Sequence, residues 1–131
     1  MQDRPTAGEL LEAVRIFLET EVLPDRSAQR ERFRTLVAIN VVTIVERELN
    51  AGSITLREEA QGLARLLGRE LSPPESDAKL VVVVRDLNAE LAWRIRCGEL
   101  PDGTLQQLLS TTVGKLAITS PGYLARSAES V

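Results

Sequence analysis

Histidine is absent from this chain, and cysteine occurs once, at Cys97. Without an imidazole, Ser-His-Asp and Cys-His nucleophile systems are excluded, as are His-containing zinc or iron sites. A single thiol closes no intramolecular disulfide and builds no cysteine metal cluster. It suits a reducing cytoplasm, and Cys97 beside Gly98 reads as an inert small residue with no base or cation assigned to it. Long apolar runs are also missing. The run from Leu80 to Val84 is broken by Arg85 and Asp86, well short of the ~20 residues a membrane span requires. The opening Met1-Gln2-Asp3-Arg4-Pro5 has neither the basic start nor the apolar stretch of a signal peptide. Positive charge is not in excess: the net charge is −3 and the pI near 5.1, the wrong sign for a dedicated nucleic-acid binder. The expectation is a cytoplasmic protein without cofactor or metal, and with neither nucleic acid nor membrane as a partner.

The chain has 131 residues, 44% hydrophobic and 27% charged, which predicts one globular domain over 1–131. A chain of this length buries about two-thirds of its unfolded surface and needs no covalent staple. Five segments carry a helical period. Thr6 and Glu9 have the spacing of a capping box. Behind them Leu10, Leu11, Val14, Phe17, Leu18 and Val22 share a face, and Pro24 ends the segment. The second segment, about 27–50, bears an apolar stripe of Phe33, Val37, Val41 and Ile44, widened by Leu36, Ala38, Val45 and Leu49. So wide an arc belongs to a central helix covered on two sides. Thr55 and Glu58 predict a second capping box, followed by Leu56, Ala60, Leu63, Leu66 and Leu67 on one face up to Gly68. A fourth helix is expected over about 76–97, with Leu80, Val84, Leu87, Leu91 and Ile95 inward and Gly98 suited to close it. Leu105, Leu109, Val113 and Leu116 define a fifth that stops at Pro121, and residues 124–131 read as a frayed tail.

The fold class that follows is all-α, a single-domain bundle of about five helices. The alternative is α+β, with 36–45 and 80–84 as paired strands, since both are rich in β-branched residues. Length argues against it: more than twenty residues separate Pro24 from Gly52 without a turn signal, against about 5–6 in a usual strand.

A few side chains stand out against this frame. Asn40 and Asn88 fall on or beside apolar stripes, where a buried amide needs hydrogen-bond partners. The bland reading makes each a register-fixing polar residue; the functional one makes them the floor of a polar pocket with Asp86 or Glu90 nearby. Trp93 lies opposite the core stripe of its helix, in line with Val82 and Ala89, with Arg94 and Arg96 as a candidate rim. That second apolar patch fits either another helix of the same chain or an oligomer interface. Arginines 26, 30, 32 and 34 form a cluster suited to a phosphate or an acidic partner, or to a solvated face diluted by Asp25 and Glu31. Arg85-Asp86-Leu87-Asn88 matches a fragment of the protein-kinase catalytic loop. Leu91 stands where the metal-binding Asn belongs, and no glycine-rich loop accompanies it, so the match is coincidental.

Four blocks carry a family resemblance: Asp3-Arg4-Pro5-Thr6-Ala7-Gly8-Glu9-Leu10-Leu11-Glu12-Ala13-Val14; Asn40 through Ile44-Val45-Glu46-Arg47-Glu48-Leu49; Leu87-Asn88-Ala89-Glu90-Leu91 with Arg94-Ile95-Arg96; and Lys115-Leu116-Ala117 before Pro121-Gly122-Tyr123-Leu124. In order and nearly end to end, they resemble a bacterial family of small helical proteins of unknown function. In that family an Asn precedes the C-terminal proline, where this chain has Ser120. Its genes often lie beside aminoglycoside-phosphotransferase-like kinases and acyl-CoA dehydrogenases. The resemblance implies a non-enzymatic accessory or interaction protein, partnering such a kinase or dehydrogenase in acyl-CoA or hydroxy-acid catabolism, and it carries over no catalytic residue. The residues add the expectation of a homo-oligomer, a homodimer, whose subunits or partner cover Val82, Ala89 and Trp93. The competing class is a small-ligand pocket protein or minor enzyme that uses Asn40, Asn88 and nearby carboxylates.

Overall fold

Thr6 opens the first helix as its spacing with Glu9 predicts. In the computed structural model, which describes residues 4–130, the Thr6 hydroxyl accepts from the Glu9 N–H at 3.3 Å. The Glu9 carboxylate accepts from the Thr6 N–H at 2.7 Å, completing the box. Helix α1 (Ala7–Phe17) follows, and its last turns widen into a π-helical stretch over Leu18–Val22 before Pro24. After a short connection comes α2 (Gln29–Ala51). The β-branched run of α2 is helical throughout, and the described residues contain no strand.

The chain forms two compact units, residues 1–52 and 53–131. In the first unit α1 and its π-helical extension pack on α2. Arg15 ties the pair, its Nε donating to Glu46 Oε2 at 2.8 Å. That bond, more than any other influence, holds the Arg15 guanidinium above its ordinary pKa. No helix of this unit contains a buried residue. Leu11, Arg15, Leu18 and Val22 are half-buried at one-face spacing, whereas Leu10, Val14 and Phe17 of the expected stripe are exposed. On α2, Phe33, Val37 and Val41 are exposed too, contrary to their expected place in a core. The reason is geometric: α1 covers one side of α2, and the apolar arc of α2 is wider than one neighbour can cover.

The second unit holds α3 (Ile54–Leu67), α4 (Asp77–Arg96), α5 (Thr104–Thr119) and α6 (Pro121–Glu129). Its core is a single apolar seam. Ala60, Leu63, Ala64 and Leu67 of α3 meet Leu80, Val84, Leu87 and Leu91 of α4, much as the periodicity predicts; Ile95 lies beyond the seam and is exposed. Gly68 closes α3 at φ 64°, where it donates to Arg65 O while Arg69 donates to Ala64 O. This left-handed closure is the conformation glycine adopts at least cost.

Three local expectations are corrected. Thr55 and Glu58 form no capping box: α3 begins at Ile54 behind Ser53, whose side chain makes no cap bond. Thr55 is therefore already inside the first turn, not in the extended position a box requires. Residues 124–129 lie in α6, Val131 lies outside the described residues, and Pro121 starts that helix instead of merely ending α5. Proline fits there because its missing N–H would have no partner in a first turn. Helix α5, finally, turns most of its expected core stripe outward: Leu105, Leu109 and Val113 are exposed and Leu116 is half-buried, whereas Thr104 is buried and Gln107, Thr111 and Gly114 are half-buried. Helix α4 occupies the leucine side of α3, so α5 meets the adjacent side, where Gly62 sits beneath the Gln107 side chain. A Cβ on Gly62 would run into that amide, so a backbone–amide contact replaces a leucine contact.

Leu63, 1% exposed, is central to the seam. Leu63→Ala is expected to lower unfolding stability by about 2–5 kcal/mol, measured as a shift in the urea midpoint at unchanged slope.

Candidate functional site

Asn88 shows what the helix packing does with a polar residue at the edge of an apolar stripe. It is half-buried on α4, and its Nδ2 donates to Glu59 Oε1 and to Val84 O, each at 3.1 Å. Glu59 is the most buried charged residue described, at 7% exposure. Its Oε1 also accepts from Lys115 Nζ of α5, at 3.2 Å. A buried carboxylate is tolerated only when paired and hydrogen-bonded, and here α4 and α5 each supply one donor to α3. No buried side-chain nitrogen or oxygen is left without a partner among the described residues.

Beside this cluster, between α3 and α5, lies an open cavity of about 350 Å³ lined by Thr55, Glu59, Gln107, Thr111 and Lys115 among others. It offers hydroxyls, an amide, a carboxylate and an ammonium, a lining suited to hydrogen-bonding a small polar molecule. Among the described residues no group of three or more His, Cys, Asp or Glu side chains could hold a metal. No helix of the described residues is long and apolar enough to cross a membrane.

The remaining candidates are dispersed. Asn40 belongs to the first unit and is exposed, contrary to its expected burial; the side of α2 it occupies is not the side Glu46 turns toward α1. Asp86 is exposed and pairs with its neighbour Arg85, at 3.3 Å. Glu90 accepts from Arg69 at 3.0 Å and from Arg94 at 2.8 Å. The Arg69 bond, then the Arg94 bond, hold its carboxyl below the usual glutamate range. Arg94, which also donates to Leu67 O at 3.4 Å, is thus a clasp between α4 and the end of α3, not a rim to Trp93. Val82, Ala89, Trp93 and Arg96 are all exposed, with Trp93 at 64%.

Glu59, Lys115 and Gln107 went unnoticed in the sequence. A signal existed for Glu59: at ~100° per residue it lies about 40° from Leu63, inside the apolar arc of α3, as Asn88 lies beside that of α4. Nothing local marked Lys115, whose role depends on how α5 crosses α3.

A family model described as Domain of unknown function (DUF6285) matches residues 25–123. It takes in the resemblance blocks at 40–49 and 87–96, and the block at 3–14 lies outside it. No curated protein and no solved structure matches the chain.

Asn88→Leu leaves Glu59 with one donor and is expected to cost about 1–3 kcal/mol, read from thermal or urea unfolding. A pH dependence follows from Glu90. Its folded pKa lies below the unfolded value of about 4.3, so its clasp stabilises the fold above that value, and the contribution is lost as pH falls through the folded pKa. Glu90→Gln should therefore lose less stability than the wild type between pH 5 and pH 3, whereas parallel curves for the two proteins would contradict this.

Proposed function

We propose that this chain, which belongs to the Domain of unknown function (DUF6285) family, is a non-catalytic accessory protein that docks onto a partner through the outward face of α4. One observation carries the reading. The sole tryptophan is 64% exposed in line with Val82 and Ala89, on the side of α4 opposite its completed core stripe. Tryptophan is the residue most over-represented among interface hot spots, and an apolar centre with a charged margin is the usual anatomy of a docking patch. Arg96 and the Arg85–Asp86 pair provide that margin. The family resemblance supplies the partner class, a phosphotransferase-like kinase or an acyl-CoA dehydrogenase, and with it a cytoplasmic role in acyl-CoA or hydroxy-acid catabolism.

A second reading rests on the cavity beside Glu59: a site for a small polar ligand that Lys115 and the hydroxyls of α3 and α5 would hold. It retains Asn88 from the expected pocket as a support for Glu59, and leaves out Asn40.

The experiment is co-expression with the neighbouring kinase-like and dehydrogenase proteins, followed by affinity measurement with the purified partner. Trp93→Ala is expected to weaken the complex by about 2 kcal/mol or more, roughly thirtyfold in Kd, while Lys115→Ala leaves it unchanged. Undiminished binding by Trp93→Ala would overturn the α4 docking face, and loss of function on Lys115→Ala alone would favour the cavity.

A further inference from the structure

Helix α2 exposes an apolar stripe with two features that identify what covers it. The half-buried residues Thr35, Ile39, Val42 and Glu46 fall on one side of the helix, and the Arg15–Glu46 bond marks that side as the one facing α1. On the other side Phe33, at 65% exposure, continues into Val37 and Val41, with Ile44 half-buried at the same spacing. A two-helix unit with no buried residue in its helices has only part of the apolar contact that helices of this length need, since isolated helices are marginal in water and helices are stabilised by burying their apolar stripe against another layer.

The first feature is position. Helix α2 runs from Gln29 to Ala51, which places Asn40 at its midpoint, at the margin of the exposed stripe. Asn40 is exposed and makes no side-chain hydrogen bond to a described residue. The second feature is charge. Arg30, Arg32 and Arg34 lie in the first third of α2, exposed and without an ion pair among the described residues, and exposed Glu48 lies near its end. At ~100° per residue, Arg30 and Glu48 share one angle within the stripe, between Val37 and Val41, so they bound it at its two ends, with Arg34 about 40° further round.

We propose that a second copy of this chain covers the stripe, α2 pairing antiparallel with its counterpart about a two-fold axis at Asn40. This is a different surface from the α4 docking face and does not depend on it. The axis sets Val37 against Ile44 of the second copy and brings Val41 near its own mate, which closes the apolar stripe. It brings the two Asn40 amides together, where each can donate to the other's carbonyl. A single polar residue in an apolar helix seam fixes register and orientation in this way, at some cost in stability. It also brings Arg30 and Arg34 beside Glu48 of the other copy. A parallel pair would instead align the arginines with each other, so charge selects the antiparallel arrangement. With α1 behind each α2, the product is a four-helix layer formed by two hairpins, closed by the commonest symmetry of oligomers.

The test is the mass of the full chain in solution, by light scattering and sedimentation equilibrium, beside its far-UV circular dichroism. The wild type is expected at about twice 14.4 kDa. Val41→Glu, which places like charges next to each other at the axis, should give a monomer. Glu48→Arg should raise the dimer dissociation constant roughly tenfold, since the two-fold repeats each lost pair. Combining it with Arg30→Glu and Arg34→Glu should restore wild-type affinity while helix content stays unchanged. Trp93→Ala should remain dimeric. A monomeric wild type, or a dimer abolished by Trp93→Ala and untouched by Val41→Glu, would overturn the proposal. So would a charge swap that fails to rescue while the helices remain intact.

Discussion

The seam between α3 and α4 is the contact on which the second unit depends. Ala60, Leu63, Ala64 and Leu67 face Leu80, Val84, Leu87 and Leu91, and together they are all of the buried apolar side chains described. Once that seam forms, the rotation of both helices is set. Asn88, beside the α4 stripe, is brought to Glu59; Glu90 reaches Arg69 beyond the end of α3; and Val82, Ala89 and Trp93 are left pointing away. The polar cluster and the exposed tryptophan are two consequences of one packing choice.

That choice also decides how α5 is used. With the leucine side of α3 taken, what remains is the side bearing Gly62 and Glu59. Helix α5 meets it with Gln107, Thr111 and Lys115, while its Leu105, Leu108 and Leu109 are exposed. A glycine under an amide and a carboxylate under an ammonium give a contact of moderate strength. A partly exposed pair such as Lys115–Glu59, with Lys115 largely in water, contributes less than a buried one. The cavity beside it follows from this loose fit between α3 and α5.

The first unit poses the opposite problem. Its helices are well marked in sequence, α1 opening on the Thr6–Glu9 box and α2 starting behind Ala28 without a side-chain cap, but they bury nothing completely. Helix α2 carries an apolar arc suited to two neighbours, and α1 supplies one. A family defined over 25–123 includes α2 in full, so the surplus apolar face belongs to the family's matched segment. An accessory protein that self-associates through α2 and reaches a partner through α4 would use each surplus face once.

The sequence by itself determined the helices. Hydrophobic period, the Thr6–Glu9 box, and the glycines at 68 and 98 are local signals, each acting within a turn or two of chain, and the structure follows them closely. It also marked Leu80, Val84, Leu87 and Leu91 correctly as a core face, because α4 has one dominant stripe and a partner next to it in the chain. Only the tertiary structure decided which apolar stripes are covered. Phe33, Val41, Leu105 and Val113 have the same spacing as true core residues, but periodicity states which side of a helix is apolar and not whether anything packs on it. The Glu59–Asn88–Lys115 cluster lay equally beyond local signals. Asn88 and Lys115 are 29 and 56 residues from Glu59 in sequence, and such contacts exist only after three helices have chosen their mutual rotation.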